Sequence, residues 1–280
     1  MPSERVEGPS VADSEEVERD RFVGGTDLTR WHSRFGRTLA RLNTRIAVRL
    51  GDRAALVLVL VLGGTIVTAL AFGFDRIYDS VTERDGVSSL DVPLLHVAMS
   101  IRSAPLDTFC AVIAEVFGGV GMPIIATATA LLLIARRRAW TPGLLVAATG
   151  LGSVLMTTVG KDVVGRHRPP LIDAVPPLET SPAFPSGHTT STTAIVGIVV
   201  YLLVLRRRTR IARTVTVTAG VLIALVVGLS RVVLGAHWFT DVLAGWLLGA
   251  CWLAVVVTAH RLYLTVRKRR RAAQVAADDG

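Results

Sequence analysis

From Ala54 to the last quarter of the chain, apolar runs alternate with short polar or basic joints. The runs cover about 54–74, 106–135, 142–160, 187–205, 211–230 and 238–260. Each approaches or exceeds the roughly 20 residues that cross a hydrocarbon core about 30 Å thick. All six are predicted to be helices, because a spanning segment has no water to satisfy its backbone N–H and C=O groups. The second is expected to break at "GGVGMP", where glycine and proline interrupt the pattern. The predicted fold class is all-α, a six-transmembrane helical bundle carried by residues 54–260.

The flanks read differently. Residues 1–29 mix Glu, Asp, Ser, Gly and Arg without apolar periodicity and are expected to be a disordered tail. Arg30, Arg34, Arg37, Arg41, Arg45, Arg49 and Arg53 then recur every three or four residues, with Leu39, Leu42, Ile46 and Leu50 at matching offsets. Residues 30–53 therefore read as a basic amphipathic helix lying on anionic lipid headgroups. A solvated helical lead-in would show the same spacing. Residues 261–280 form a basic C-terminal tail.

A hydrophobic fraction of 51% and a mean hydropathy of +0.50 support the membrane class. The first apolar run begins too far from Met1 for a cleavable signal peptide. The net charge of +9 argues for topology and against nucleic acid, because the excess flanks apolar runs: before the first span, at Arg136–Arg138, at Arg206–Arg210 and at Arg267–Arg271. These clusters fall on one side of the bundle, which the positive-inside rule makes cytoplasmic, together with both termini. The loop from Asp75 to Pro105 holds Asp75, Asp79, Glu83, Asp85 and Asp91 against Arg76, Arg84 and Arg102, as suits the outer face. Cys110 and Cys251 lie inside apolar runs and read as small buried hydrophobes.

Four basic residues break this topology. Lys161, Arg166, Arg168 and Arg231 lie at span ends on the outer side, where orientation does not call for them. Individually they read as side chains snorkelling to headgroups. Jointly they belong to two of three clusters that share one edge. The first, "KDVVGRHRPP", offers an ammonium and a guanidinium whose fork suits phosphate oxygens, and Pro169 and Pro170 then end the helix. The second, "PSGH", runs from a turn into a helix, so Ser186 and Gly187 sit at an N-terminus that favours anions, beside His188 as a proton donor. The third, "SRVVLGAHWFTD", places His237 and Asp241 four apart, on one helical face if the last span begins there. The carboxylate would then hold one imidazole nitrogen and free the other as a nucleophile.

The order Lys, six residues, Arg-Pro; then Pro-Ser-Gly-His; then Ser-Arg, five residues, His, three residues, Asp resembles the type 2 phosphatidic acid phosphatase (PAP2) superfamily across roughly residues 54–260. The resemblance implies that His237 attacks phosphorus and forms a phosphohistidine, that Asp241 orients it, and that His188 protonates the leaving oxygen. It implies a phosphate clamp of Lys161, Arg168 and Arg231, helped by Ser186 and the backbone of Gly187. It also implies no metal and no cofactor. Cationic clusters fit phosphoryl transfer, whereas a metal site would want converging carboxylates.

The membrane core favours a lipid phosphate or diphosphate as substrate, such as an undecaprenyl-type diphosphate, phosphatidylglycerophosphate or phosphatidate, entering sideways from the leaflet. The active site is then expected at the extracytoplasmic ends of the helices. A non-catalytic protein that binds or moves an anionic lipid would need the charges, but not His188, His237 and Asp241. Glu115, an acid within an apolar run, is a candidate for the site mouth. Arg166 and His167 lie in the variable part of the first cluster, with Arg166 a possible phosphate contact. His32, His96 and His260 are expected at the surface or interface. "LAGWLLGA" reads as a helix-packing stretch.

Overall fold

A computed structural model describes residues 86–278 continuously, with N-terminal pieces at 19–23 and 26–28 and single positions at 38 and 65. The expected first span at 54–74 and nearly all of the basic helix at 30–53 lie outside the described residues.

A 3₁₀ turn at Gly86–Leu90 leads into α1 (Asp91–Ser100), and then α2 (Ala104–Val116), α3 (Gly121–Arg137), α4 (Thr141–Val164), α5 (Gly187–Val204), α6 (Arg210–Val233) and α7 (Phe239–Asp278) follow. Four of these, α4 to α7, are long and apolar enough to cross a membrane. The pair α2 and α3, bent by 55°, adds a fifth if it is one broken span. The break falls where the glycines and proline predict it. A Cβ on Gly121 would stand 2.2 Å from the Val116 carbonyl oxygen, so only glycine allows the chain to turn that tightly.

The bundle carries polar groups inward and apolar groups outward. Thr149, Ser153 and Thr157 of α4 and Thr189, Thr190 and Thr192 of α5 are buried, whereas Leu144, Leu151, Leu155, Ile211 and Leu222 are exposed. Several inward hydroxyls bond back to their own helix, as Thr149 does to the Leu145 carbonyl at 2.7 Å. Such a surface suits lipid rather than water. Away from the site, Leu133, Val146, Ile198, Leu202, Leu205 and Val256 close the core.

The stretch read as helix packing is the seam between α5 and α7. A Cβ on Gly245 would lie 2.8 Å from the Thr189 Cβ, and one on Gly249 would lie 2.6 Å from the Thr190 carbonyl oxygen. This close approach holds the start of α5 against the start of α7.

Three features depart from the sequence reading. The loop expected on the outer face contains α1, whose Asp91 is only 3% exposed, because the carboxylate pairs with groups far along the chain. His260 is buried rather than interfacial, with its Nδ1 2.9 Å from the Tyr201 hydroxyl. Within the expected tail, β1 (Phe22–Val23) and β2 (Thr26–Asp27) pair antiparallel, the one exception to the all-helical reading among the described residues. Asp20 and Asp27 anchor this hairpin to Arg137, Arg206 and Lys268 on the basic end of the bundle. Beyond residue 260, α7 continues without a break to Asp278.

Candidate active site

The clusters around Lys161–Arg168, Ser186–His188 and Arg231–Asp241 meet at the end of the bundle opposite that hairpin. Lys161 lies in the last turn of α4, which stops at Gly165 in the left-handed region (φ +59°), with the Gly165 N–H donating to the Lys161 carbonyl at 2.9 Å. The loop from 165 to 186 carries Arg166 and Arg168 and returns to α5, which begins at Gly187 and His188. Arg231 closes α6, the chain reverses at Gly235 (φ +65°), and His237 precedes α7. Arg102, at the joint between α1 and α2, ties this end together by donating to the Val233 and Asp173 carbonyls at 2.6 and 2.8 Å.

His237 is fully buried. Its Nδ1 lies 3.4 Å from Asp241 Oδ2, which also accepts the Trp238 N–H at 2.9 Å and so caps the start of α7. Its Nε2 faces the Arg168 Nη1 at 3.1 Å. Arg168 is held from behind, donating to the carbonyls of Ala236 at 2.6 Å and Ser181 at 2.7 Å. Lys161 Nζ donates to the Ser181 hydroxyl at 2.6 Å, which places it beside Arg168. Arg231 is fully buried, yet its Nε and Nη1 have no hydrogen-bond partner. Orphaned guanidinium donors in a protein interior are costly unless a ligand uses them.

His188 points its Nε2 at the Ala114 carbonyl, 3.0 Å away, so that nitrogen carries a proton in either charge state and Nδ1 turns toward the other site groups. The break between α2 and α3 thus also seats His188, since a Cβ on Gly118 would come within 3.1 Å of its ring. Ser186 is buried and accepts from the Thr189 hydroxyl at 3.0 Å, while Gly187 lines the adjoining cavity. His167 is exposed and contributes only its carbonyl, to the Trp238 indole.

Sequence reasoning missed Glu179. Its carboxylate sits in the middle of the cluster, bonded to Arg168 at 2.7 Å and to Arg231, 3.5 Å from His188 Nδ1 and 4.0 Å from His237 Nε2. Burial alone would raise this carboxyl, but the Arg231 guanidinium, then His237, His188 and Arg168, bring it down to about 2. A signal existed: Glu179 is the only acid between Asp173 and Asp241. For His237, burial and then the Arg168 and Arg231 charges hold the imidazole well below its usual 6.5, so it is neutral at pH 7. Arg166, read as a possible phosphate contact, instead bonds to Asp241 and Asp91 on the side of Asp241 away from His237.

A cavity of about 870 Å³ opens beside the cluster between α2, α3, α4 and α5. Lys161, Glu179 and His188 stand at its polar end, and Met122, Leu131 and Val146 line its apolar length. Glu115 is exposed and lines the same cavity. An apolar trough ending at cations and imidazoles suits an amphiphile with an anionic head.

Comparison with known proteins agrees with this chemistry. The family model for the PAP2 superfamily matches residues 138–263. Phosphatidylglycerophosphatase B of Bacillus subtilis (strain 168) is 32% identical over 188 residues, covering 64% of this chain and 87% of that protein. Decaprenylphosphoryl-5-phosphoribose phosphatase of Mycolicibacterium smegmatis is 36% identical over 130 residues, covering 45% of this chain and 62% of that protein. The crystal structure of a transmembrane PAP2 type phosphatidylglycerolphosphate phosphatase from Bacillus subtilis superposes with a TM-score of 0.60 at 27% identity, over 68% of this chain and 94% of that one. On the extent of these matches and the helical architecture they share, the chain belongs to the PAP2 superfamily and is a multi-pass membrane phosphatase.

Proposed function

We propose that the protein hydrolyses a lipid phosphate or diphosphate through a phosphohistidine at His237. The observation that carries this reading is the placing of His237 Nε2 beside Arg168, with Nδ1 on Asp241 and the unpaired donors of Arg231 in the same cluster. The neutral Nε2 lone pair attacks phosphorus, the P–N bond forms, and the P–O bond to the lipid breaks. His188, protonated at Nδ1, gives its proton to the departing oxygen. Water then attacks the phosphohistidine, His188 takes a proton from it, and Nε2 leaves with phosphate released. Lys161, Arg168 and Arg231, with the Gly187 end of α5, stabilise the charge on the equatorial oxygens, and Ser186 holds that end in place.

The apolar cavity supports a lipid substrate that lies with its chain between α2, α3, α4 and α5. An undecaprenyl-type diphosphate, phosphatidylglycerophosphate and phosphatidate all fit that description, and the relatives' names include a phosphatidylglycerophosphatase and a decaprenylphosphoryl-5-phosphoribose phosphatase. The distribution of basic clusters supports a six-span core with 54–74 as its first span, both termini cytoplasmic and the site on the extracytoplasmic side. In that orientation residues 30–53 rest on anionic headgroups of the inner leaflet.

Phosphate release measured across polyprenyl and glycerolipid substrates in detergent tests the reading. Hydrolysis of at least one lipid at an undiminished rate in EDTA is expected, because the site supplies its positive charge from side chains. Loss of all activity in EDTA, restored by a divalent metal, would overturn the proposed mechanism.

Glu179 gives a second test. Its carboxylate uses the two guanidinium groups that a bound phosphate requires, so the two anions compete. Glu179→Gln is expected to lower the inhibition constant of inorganic phosphate about ten-fold, equivalent to about 1.4 kcal/mol. An unchanged or raised constant in the variant would show that the carboxylate does not oppose the anion.

A further inference from the structure

Arg166 lies in the stretch of the first cluster where residue type is least constrained by the motif, yet it is one of the most fully engaged side chains at the site. Its Nη1 donates to Asp241 Oδ1 at 2.5 Å and to the Thr240 hydroxyl at 2.7 Å, and its Nη2 donates to Asp91 Oδ2 at 2.7 Å. Asp91 completes the ring by accepting the Thr240 N–H at 2.8 Å and the Thr240 hydroxyl at 2.7 Å. The guanidinium also lies over the Trp238 ring, 5.7 Å from its centroid. Side-chain exposure is 11% for Arg166, 4% for Asp91 and 0% for Asp241, so water does not substitute for these bonds.

We propose that Arg166 is a positioning residue that fixes the Asp241 carboxylate from behind, with Asp91 as its counter-anchor, and does not bind phosphate. The inference rests on the reading of His237 as the nucleophile. Asp241 uses Oδ2 for His237 Nδ1 and the Trp238 N–H, which leaves the plane of the carboxylate to be set at Oδ1, where Arg166 binds. Both terminal nitrogens of Arg166 are occupied on that side, so neither is available to the clamp.

Charge makes the second carboxylate necessary. One guanidinium on Asp241 alone would cancel the negative charge that the imidazole needs when it becomes a phosphoimidazolium. With Asp91 on the other nitrogen, the trio carries a net charge of −1, and Asp241 keeps its share for His237. Asp91 comes from α1, 149 positions before Thr240, so the helix ahead of the bent α2–α3 pair is part of the orienting apparatus.

The test uses the full chain in detergent with dioctanoyl phosphatidate as substrate and inorganic phosphate as inhibitor. Arg166→Gln is expected to lower kcat on the order of 100-fold, with KM and the phosphate inhibition constant within about two-fold of wild type. In an Asp241→Asn background the same change should cost less than about three-fold more, because the group it positions is already altered. Asp91→Asn should lower kcat about ten-fold at unchanged KM, and it decides the matter if Arg166→Gln does not fold. An unchanged kcat in either variant overturns the proposal. So does a rise in KM and in the phosphate constant with kcat kept, which would make Arg166 a phosphate ligand, or full multiplicative loss with Asp241→Asn. Wild-type protein that forms no phosphohistidine overturns the underlying mechanism instead, whatever Arg166 does.

Discussion

Replacing His237 with alanine is expected to reduce lipid-phosphate hydrolysis by at least about 10⁴-fold, the scale on which nucleophile loss is felt when clamp and binding groups survive. The size follows from what His237 alone supplies. Arg168 and Arg231 still attract the phosphate and His188 still faces it, but no neutral nitrogen stands in line to attack phosphorus. Water has no such lodging, because the imidazole is fully buried and its place is closed by Arg168 and the start of α7. Since burial and the two guanidinium groups hold the imidazole well below 6.5, its lone pair is free at neutral pH. The fall of wild-type kcat/KM caused by its protonation is therefore expected at a pH below 6.5, not through it. Two measurements check the prediction: single-turnover phosphate release, and acid-labile labelled phosphate retained after rapid quenching. Release within ten-fold of wild type by His237→Ala, or label retained by that variant, would refute the assignment.

The span pattern and the three clusters were legible in the sequence because both are local. Runs of apolar residues mark α4 to α7, glycine and proline mark the break between α2 and α3, and the four-residue spacing of His237 and Asp241 needs only helical geometry to bring them together. Lys161, His188 and Arg231 read as one site because each stands at a span end on the same side. What escaped depends on contacts without local periodicity. Asp91 looks like one of five outer acids until Thr240 and Arg166, 149 and 75 positions away, enclose it. Glu179 lies in a proline-rich loop whose path no hydrophobic pattern predicts. His260 looked interfacial because its partner, the Tyr201 hydroxyl, is on another helix 59 positions earlier. Arg166 was ambiguous for the same reason: its spacing from Lys161 and Arg168 suggests a clamp, and only the fold turns its fork toward Asp241.

Arg231→Met should separate activity from stability. The side chain is fully buried with Nε and Nη1 unpartnered, and its remaining nitrogen meets only Glu179, which also has Arg168. A buried guanidinium with two idle donors costs several kcal/mol by the usual order of magnitude, which one ion pair does not fully offset. A methionine of similar reach removes that cost and leaves Glu179 paired with Arg168. The variant's melting temperature in detergent is therefore expected to equal or exceed that of wild type, while kcat/KM falls about 10³-fold because developing charge on the phosphoryl oxygens loses its most desolvated donor. Inorganic phosphate sharpens the contrast. At 100 times its dissociation constant it should stabilise wild type by about 2.7 kcal/mol, a shift Arg231→Met should lose. A lower melting temperature together with an intact phosphate shift would mean that Arg231 is a structural ion pair and that the anion is held elsewhere. Arg231→Lys sharpens this further, because it keeps the charge but not the planar fork. If charge alone sufficed, lysine would recover both the shift and the rate; the orphaned Nε and Nη1 argue that it recovers the shift in part and little of the rate.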